Sequence, residues 1–301
     1  MKRKVLLIVN PCSGQMKVNK MLTEIVDVFT KAGFMTTVLT TTRLGDATEY
    51  AKEYSKQFDL IVCAGGDGTF NETVAGVIKS GVRTPIGYIP CGSTNDFAQS
   101  LGLSKNVVQA AKDIVSGYPI TFDVGDFNGR PFTYVASFGA VTSVSYETPQ
   151  NVKNALGHLA YILGGINSIP SIRATNIRIE TSSGKVFDGD YIFGAISNSK
   201  SIAGILTLSD KFVDMADGKF ELLLVKMPMD MIELGEIISI LSTQNFNNDS
   251  LVTFVNDSEF KITTSGENNW TLDGEYQQGC EEIFIKNQHN AIDLVMKKRQ
   301  K

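Results

Sequence analysis

Up to about residue 126 the chain alternates short apolar runs with segments of helical spacing, and this alternation limits the fold more than any other feature. Residues 5–9 read as a buried strand. Residues 17–32 carry Met21, Ile25, Val28 and Phe29 at helical spacing. A strand at 36–39 follows, then a helix at 46–57 that Asp46 is placed to cap. A third strand at 60–64, a helix at 71–79 and a fourth strand at 86–89 continue the series, with one or two further helices before Gly117. Strands separated by helices pair in parallel and are covered on both faces. A three-layer α/β domain is the expectation.

Beyond about Asp126 the pattern changes. Strand-like runs at 132–138, 176–181, 191–197 and 220–225, then 252–255, 259–264 and 283–285, are joined by Gly, Asn and Asp turns. Helical insertions are expected at 152–168 and 230–241. The second half is therefore expected to be mainly β, antiparallel and sandwich-like. The polar stretch from Asp126 to Arg130 sets the expected division, 1–126 and 127–301, with a C-terminal tail able to return to the first domain. With 301 residues, 43% of them hydrophobic, the chain can build a core in each.

The net charge is -4, which argues against general nucleic-acid binding. Cys12, Cys63, Cys91 and Cys280 include no Cys-x-x-Cys pair, so neither a disulfide framework nor a zinc site is expected. The apolar run at 5–9 is too short for a signal-peptide core, and no stretch approaches the ~18 apolar residues of a membrane span. A cytoplasmic protein touching membranes only peripherally is expected.

The glycines fall where chemistry is expected, just after strands. In open parallel sheets ligands bind beyond the carboxyl ends of the strands. Asn10-Pro11-Cys12-Ser13-Gly14 follows the first strand and leads into a helix whose N-terminus suits a phosphate, although an ordinary turn would read the same. Gly65-Gly66-Asp67-Gly68-Thr69 follows the third. Its glycines let backbone amides approach a polyphosphate. Asp67 calls for a cation or a donor there, Thr69 adds a hydroxyl, and Asn71 and Glu72 are expected to open the next helix. The bland alternative is a tight turn with a capping Asp. Pro90-Cys91-Gly92-Ser93-Thr94-Asn95-Asp96 follows the fourth strand. None of the three matches the P-loop or the dinucleotide fingerprint.

Together these loops resemble the diacylglycerol kinase catalytic domain, a family of soluble bacterial diacylglycerol kinases, related bacterial lipid kinases and eukaryotic sphingosine and ceramide kinases. The matching pieces are Asn10-Pro-x-Ser-Gly14, Thr41 with Gly45-Asp46-Ala47, Gly65-Gly-Asp-Gly-Thr-x-Asn-Glu72 and the run from Pro90 to Phe97. Ser145 to Pro149, Asn198 to Gly204, Asp217-Gly218 and Asp273-Gly-Glu-Tyr276 extend the match over nearly the whole chain. The resemblance implies ATP against Asn10, Ser13, Gly14, Thr41, Gly66, Asp67, Gly68, Thr69 and Thr94, with Pro11, Gly65, Asn71, Glu72 and Asn95 beside them. It implies Glu275 as general base with Asp123 working beside it, and Asp67 holding the Mg²⁺ that ATP carries. It also implies a structural Mg²⁺ on Asp214, Asp217 and the Lys219 carbonyl, a membrane lipid as acceptor, and a homodimer.

Without the family, Asp214 to Gly218 reads as a solvated acidic turn and Asp273-Gly274 as a hairpin turn. Poor solvation and a nearby Asp123 would raise the Glu275 pKa into a useful range. His158 reads as a packing residue, and no Gly-x-Ser-x-Gly elbow is present. The leading expectation is transfer of the ATP γ-phosphate to a lipid hydroxyl, diacylglycerol before other lipids. The alternatives are an NAD kinase, which shares the Gly-Gly-Asp-Gly loop, and a non-catalytic nucleotide- or lipid-binding module.

Overall fold

Parallel pairing organises the N-terminal half, as the alternation requires. The structure is a computed structural model and describes residues 2–14, 17–93, 95–139, 174–202, 206–209, 211–247, 250–264 and 268–297. Thr94, the expected helix at 152–168, His158 and the Ser145–Pro149 motif lie outside them. Two units result: Met1–Val124 with His289–Lys301, and Gly125–Gln288.

In the first unit β1 (Arg3–Val9), β2 (Phe34–Thr40), β3 (Leu60–Gly65) and β4 (Ile86–Pro90) lie in the order β2-β1-β3-β4, all parallel. Between and after them come α1 (Lys17–Lys31), α2 (Asp46–Tyr54), α3 (Asp67–Ser80), α4 (Asp96–Leu101) and α5 (Val107–Val115). Val5, Leu7 and Val9 face Ile25 and Phe29 of α1 and Ala111 and Ile114 of α5. Leu6 and Ile8 alternate to the opposite face, where α2 and α3 pack together. Gly76 permits that packing: a Cβ there would lie 2.4 Å from the Thr48 carbonyl oxygen. Phe70 of α3 stacks on Tyr88 at 4.4 Å and on Phe97 at 5.1 Å.

Two expectations fail here for local reasons. Asp46 does not cap α2, because Gly45 holds the cap position at φ +91°. Its carboxylate turns back instead, accepting from the Thr42 amide (2.6 Å), the Thr42 hydroxyl and the Arg43 amide. α3 begins at Asp67 and not at Asn71. Gly66 enters it in extended geometry, so the glycine run supplies the first turn instead of delaying it.

The next strand, β5 (Tyr118–Phe127), was invisible in the sequence because Pro119, Gly125 and two aspartates break its apolar pattern. The second unit is antiparallel. It contains β6 (Arg130–Phe132), β7 (Val135–Gly139), β8 (Thr175–Thr181), β9 (Val186–Ser197), the short pair β10 (Ser201–Ile202) and β11 (Leu206–Thr207), and β12 (Phe220–Lys226). Then follow α6 (Met231–Thr243), β13 (Val252–Asp257), β14 (Glu259–Thr264), β15 (Asn269–Leu272), β16 (Glu275–Gln278) and β17 (Glu282–Met296), whose residues from His289 onward belong to the first unit. β9 is the hub: its first half pairs β8, and its second half lies between β7 and β12. The apolar layer includes Phe132, Phe138, Ile196, Phe220, Leu222 and Trp270. Asp230 accepts from the Ile232 and Glu233 amides and so caps α6.

The run expected as one strand at 132–138 is two strands, because the amides of residues 133–135 turn onto a side chain described below. β17 is longer than the expected 283–285. Its polar middle, Lys286 to Asn290, hides the continuation to Leu294, which pairs in parallel with Ile86 of β4.

Candidate functional site

Three loops meet at the carboxyl ends of β1, β3 and β4. Asn10 extends β1 by donating its amide to the Ala64 carbonyl at 2.9 Å. Its side-chain amide donates to the Thr69 hydroxyl at 3.0 Å, and its side-chain oxygen accepts from the Cys12 amide at 3.0 Å. Asn10 thus ties the 10–14 loop to the first turns of α3. Pro11 contributes a carbonyl that accepts from Asn19, and the Ser13 amide bonds back to the Asn10 carbonyl. At Gly14 a side chain is impossible: φ is +48°, and a Cβ would lie 1.6 Å from the Cys91 carbonyl oxygen. Gly66 and Gly92 also approach backbone to backbone; a Cβ on Gly92 would lie 2.8 Å from the Gly66 Cα. Gly65 accepts the Cys91 amide at 2.7 Å. The glycines therefore serve close contact between loops as well as access for a ligand.

Asp67 stands in the first turn of α3, with Gly68 beside it, where the helix dipole favours a negative charge. Tyr88 donates its hydroxyl to Asp67 Oδ1 at 3.3 Å, and the Asp96 amide donates to Oδ2 at 2.9 Å. Burial, reinforced by Asp67, holds the Tyr88 phenol well above its ordinary pKa, so it remains a donor. Burial also pushes the Asp96 carboxyl up. Asp67 therefore has donors of its own, and its charge does not by itself require a cation. Asn95 holds its loop at φ +52°, accepting the Gly92 amide and donating to the Gly92 carbonyl, each at 2.8 Å.

Asn71 and Glu72 occupy different surroundings from the glycine turns. Asn71 is buried within α3, and its side-chain oxygen has no hydrogen-bond partner among the described residues. Glu72 accepts the Gly45 amide at 2.9 Å and the Ala47 amide at 3.2 Å. With Asp46 it fixes the turn that carries Thr41, whose own amide bonds to the Val9 carbonyl at 2.9 Å. Asp123 is buried at 1% exposure on β5. Its Oδ1 accepts the Asn290 amide at 2.7 Å and lies 2.9 Å from His289 Nδ1.

In the second unit Glu275 opens β16, directly after the Asp273-Gly274 turn. Both turn residues have positive φ, +51° and +83°, the geometry of a tight two-residue hairpin. The buried Asp273 carboxylate accepts from the Thr133 amide (2.5 Å) and hydroxyl (2.9 Å) and from the Tyr134 (2.9 Å) and Val135 (3.0 Å) amides. Burial pushes this carboxyl up while those donors pull it down, burial being the larger effect. The poor solvation expected of Glu275 is not found: its side chain is 41% exposed and paired with Arg130 at 2.8 Å. Asp214 and Asp217 are exposed and accept from the Ala216 (3.1 Å) and Lys219 (2.9 Å) amides of their own loop. The Lys219 carbonyl accepts from Asn287 at 3.2 Å.

Sequence reading missed Tyr88 and Asp96 around Asp67, His289 and Asn290 on Asp123, Arg130 on Glu275, and the anchoring role of Asp273. Only Asp96 and Asp273 carried a signal, each standing inside a quoted motif. Among the described residues no three His, Cys, Asp or Glu side chains converge to hold a metal, and no helix is long and apolar enough to cross a membrane.

Residues 4–127 match the diacylglycerol kinase catalytic domain. A diacylglycerol kinase of Bacillus subtilis (strain 168) is 34% identical over 98% of this chain and 96% of its own length. One from Staphylococcus saprophyticus is 33% identical over 92% of this chain and 90% of its own. The crystal structure of a diacylglycerol kinase from Bacillus anthracis str. Sterne superposes with a TM-score of 0.75 at 25% identity, covering 98% of this chain and 97% of that one. With loops, hairpin and full-length similarity in agreement, the chain belongs to the diacylglycerol kinase family.

Proposed function

We propose that this chain is an ATP-dependent lipid kinase that converts diacylglycerol to phosphatidic acid. The convergence of the 10–14, 65–69 and 91–93 loops at one sheet edge, in a member of this family, carries the reading. Backbone amides there, with the N-terminus of α3, suit the phosphates of ATP. Phosphoryl transfer asks chiefly for positioning and charge neutralisation. The γ-phosphorus leaves the β-bridging oxygen and bonds to the lipid hydroxyl oxygen; ADP departs, and Glu275 takes the hydroxyl proton. Arg130 holds the Glu275 carboxylate in place, and Asp123 supports the same chemistry from β5. Thr94 and Thr41 belong to the same nucleotide reading.

Mg²⁺ fits these residues in kind. An ion delivered on a nucleotide keeps several waters and needs only one or two protein carboxylates, so Asp67 suffices without a ready-made cluster. Such an ion supplies neutralisation of the β- and γ-phosphate charge. Asp214, Asp217 and the Lys219 carbonyl offer hard oxygens to a second, structural cation.

The test offers the purified protein radiolabelled ATP and Mg²⁺ with diacylglycerol in mixed micelles, then with NAD. Label in the lipid is the expected result, and label on NAD alone refutes the proposal. Glu275→Gln should lower transfer by about 10²–10⁴-fold while ATP still binds. Near-normal transfer by this variant removes the base assignment.

A further inference from the structure

The buried carboxylate of Asp123 meets a side chain that reaches solvent. His289 of β17 sets its Nδ1 2.9 Å from Asp123 Oδ1; the carboxylate is fully covered, and the imidazole is 52% exposed. The Asn290 amide donates to the same oxygen at 2.7 Å. All three residues belong to the first unit.

The Asn290 side chain decides which way the ring donates. Its Nδ2 lies 2.6 Å from His289 Nε2. An amide nitrogen only donates, so Nε2 accepts, and the neutral imidazole carries its hydrogen on Nδ1. That hydrogen points at Asp123. Asn290 therefore acts twice, through its backbone amide on the carboxylate and through its side chain on the ring. Covering a carboxylate calls for donors of any kind, and the backbone amide already supplies one to Oδ1. A second donor on that oxygen, with its tautomer set by a third group, is the arrangement that fixes the direction of a reacting group.

We infer that His289 is the positioning residue of Asp123: held by Asn290 in its Nδ1–H form, it fixes the direction of the carboxylate that works beside the general base. The inference rests on the reading of Asp123 as part of the transfer machinery, and it names the side chain through which that part is set.

The experiment measures label transfer from ATP to diacylglycerol by full-length wild type, His289→Ala, His289→Asn and Asp123→Asn, with thermal midpoints and calorimetric ATP binding in parallel. His289→Ala should lower kcat roughly ten- to a hundredfold while the KM for ATP stays within about twofold. His289→Asn, which can return an N–H to the Nδ1 position, should recover most of the rate. His289→Ala combined with Asp123→Asn should be no slower than Asp123→Asn alone. A purely structural contact would lower the midpoint and leave kcat below it unchanged, and that result overturns the inference. Should His289→Ala fail to fold, His289→Gln takes its place: its amide reaches the Nε2 position and leaves Oδ1 without its side-chain donor, so a wild-type rate overturns the inference. The ring is read separately by NMR of ¹⁵N-histidine protein, with His158→Gln identifying the other of the two histidines. His289 should be the Nδ1–H tautomer, and Asp123→Asn should shift its signal; an Nε2–H ring overturns the inference. If Asp123→Asn transfers label at the wild-type rate, there is no carboxylate to position: the inference falls and the kinase reading stands. A wild type that transfers no label overturns the kinase reading, and the inference with it, whatever form the ring takes.

Discussion

Replacing Asp273 by Asn tests whether the hairpin bearing Glu275 is held by one carboxylate. Four donors converge on that group, two on each oxygen: the Thr133 amide and hydroxyl on Oδ2, the Tyr134 and Val135 amides on Oδ1. An asparagine keeps one oxygen and sets an NH₂ against the other pair. The cheaper orientation spares the Tyr134 and Val135 amides and lets the Thr133 hydroxyl rotate to accept. The Thr133 amide is still orphaned in a buried site, at about 1–3 kcal/mol, and the remaining bonds lose their charge assistance. Removing a buried charge returns part of this, since burial is what pushes the Asp273 carboxyl up. The net loss is about 2–4 kcal/mol, a large share of the roughly 5–15 kcal/mol that holds a domain together. For a unit the size of Gly125–Gln288 that lowers the melting temperature by about 5–15 °C. Calorimetry on wild type and Asp273→Asn reads it directly. A midpoint within about 1 °C of wild type would show that the four contacts do not hold the turn, and the reasoning fails. The same variant, assayed below its melting point, should lose label transfer more than ATP binding, because Glu275 lies two residues beyond the anchor.

Gly14→Ala should abolish nucleotide binding measured by calorimetry, since its Cβ would collide with the Cys91 carbonyl oxygen at a backbone angle that also disfavours it; wild-type affinity would mean that the loops need not touch. Asp46 is held well below the usual carboxylate range, first by the Thr42 amide and hydroxyl. A depressed folded-state pKa gives stability that is complete above the unfolded pKa of about 3.9 and is lost as pH falls below it. Asp46→Asn should therefore flatten the acid limb of a melting-temperature profile between pH 6 and pH 2.5, and an unchanged limb refutes the assignment.

What the sequence made legible was local. The glycine loops declared themselves because a strand, a turn and a helix start are consecutive in the chain, and the Asp273-Gly274 turn did so for the same reason. What stayed hidden was pairing at a distance. Arg130 meets Glu275 across 145 positions, and His289 meets Asp123 across 166. No period or spacing encodes such meetings. β5 was hidden differently: strand runs are recognised by apolar alternation, and this strand spends its positions on Asp123 and Asp126. Those same positions, though, carry hydrogen-bonding work, Asp123 accepting from Asn290 and Asp126 from Gln288.

That coincidence has a cause. A strand whose side chains must bind polar partners cannot also display an uninterrupted apolar pattern, so the segments hardest to read are those with the most polar duties. The Lys286–Asn290 stretch of β17 follows the same rule. It broke the apparent strand at the place where Gln288, His289 and Asn290 meet the aspartates of β5. Asn290 even adopts φ +54°, a conformation uncommon for a residue with a side chain, and its amide reaches Asp123 from there. Local pattern and polar function compete for the same residues. Where pattern loses without a visible apolar compensation, as at Asp123, the residue is the one whose chemistry is worth testing first.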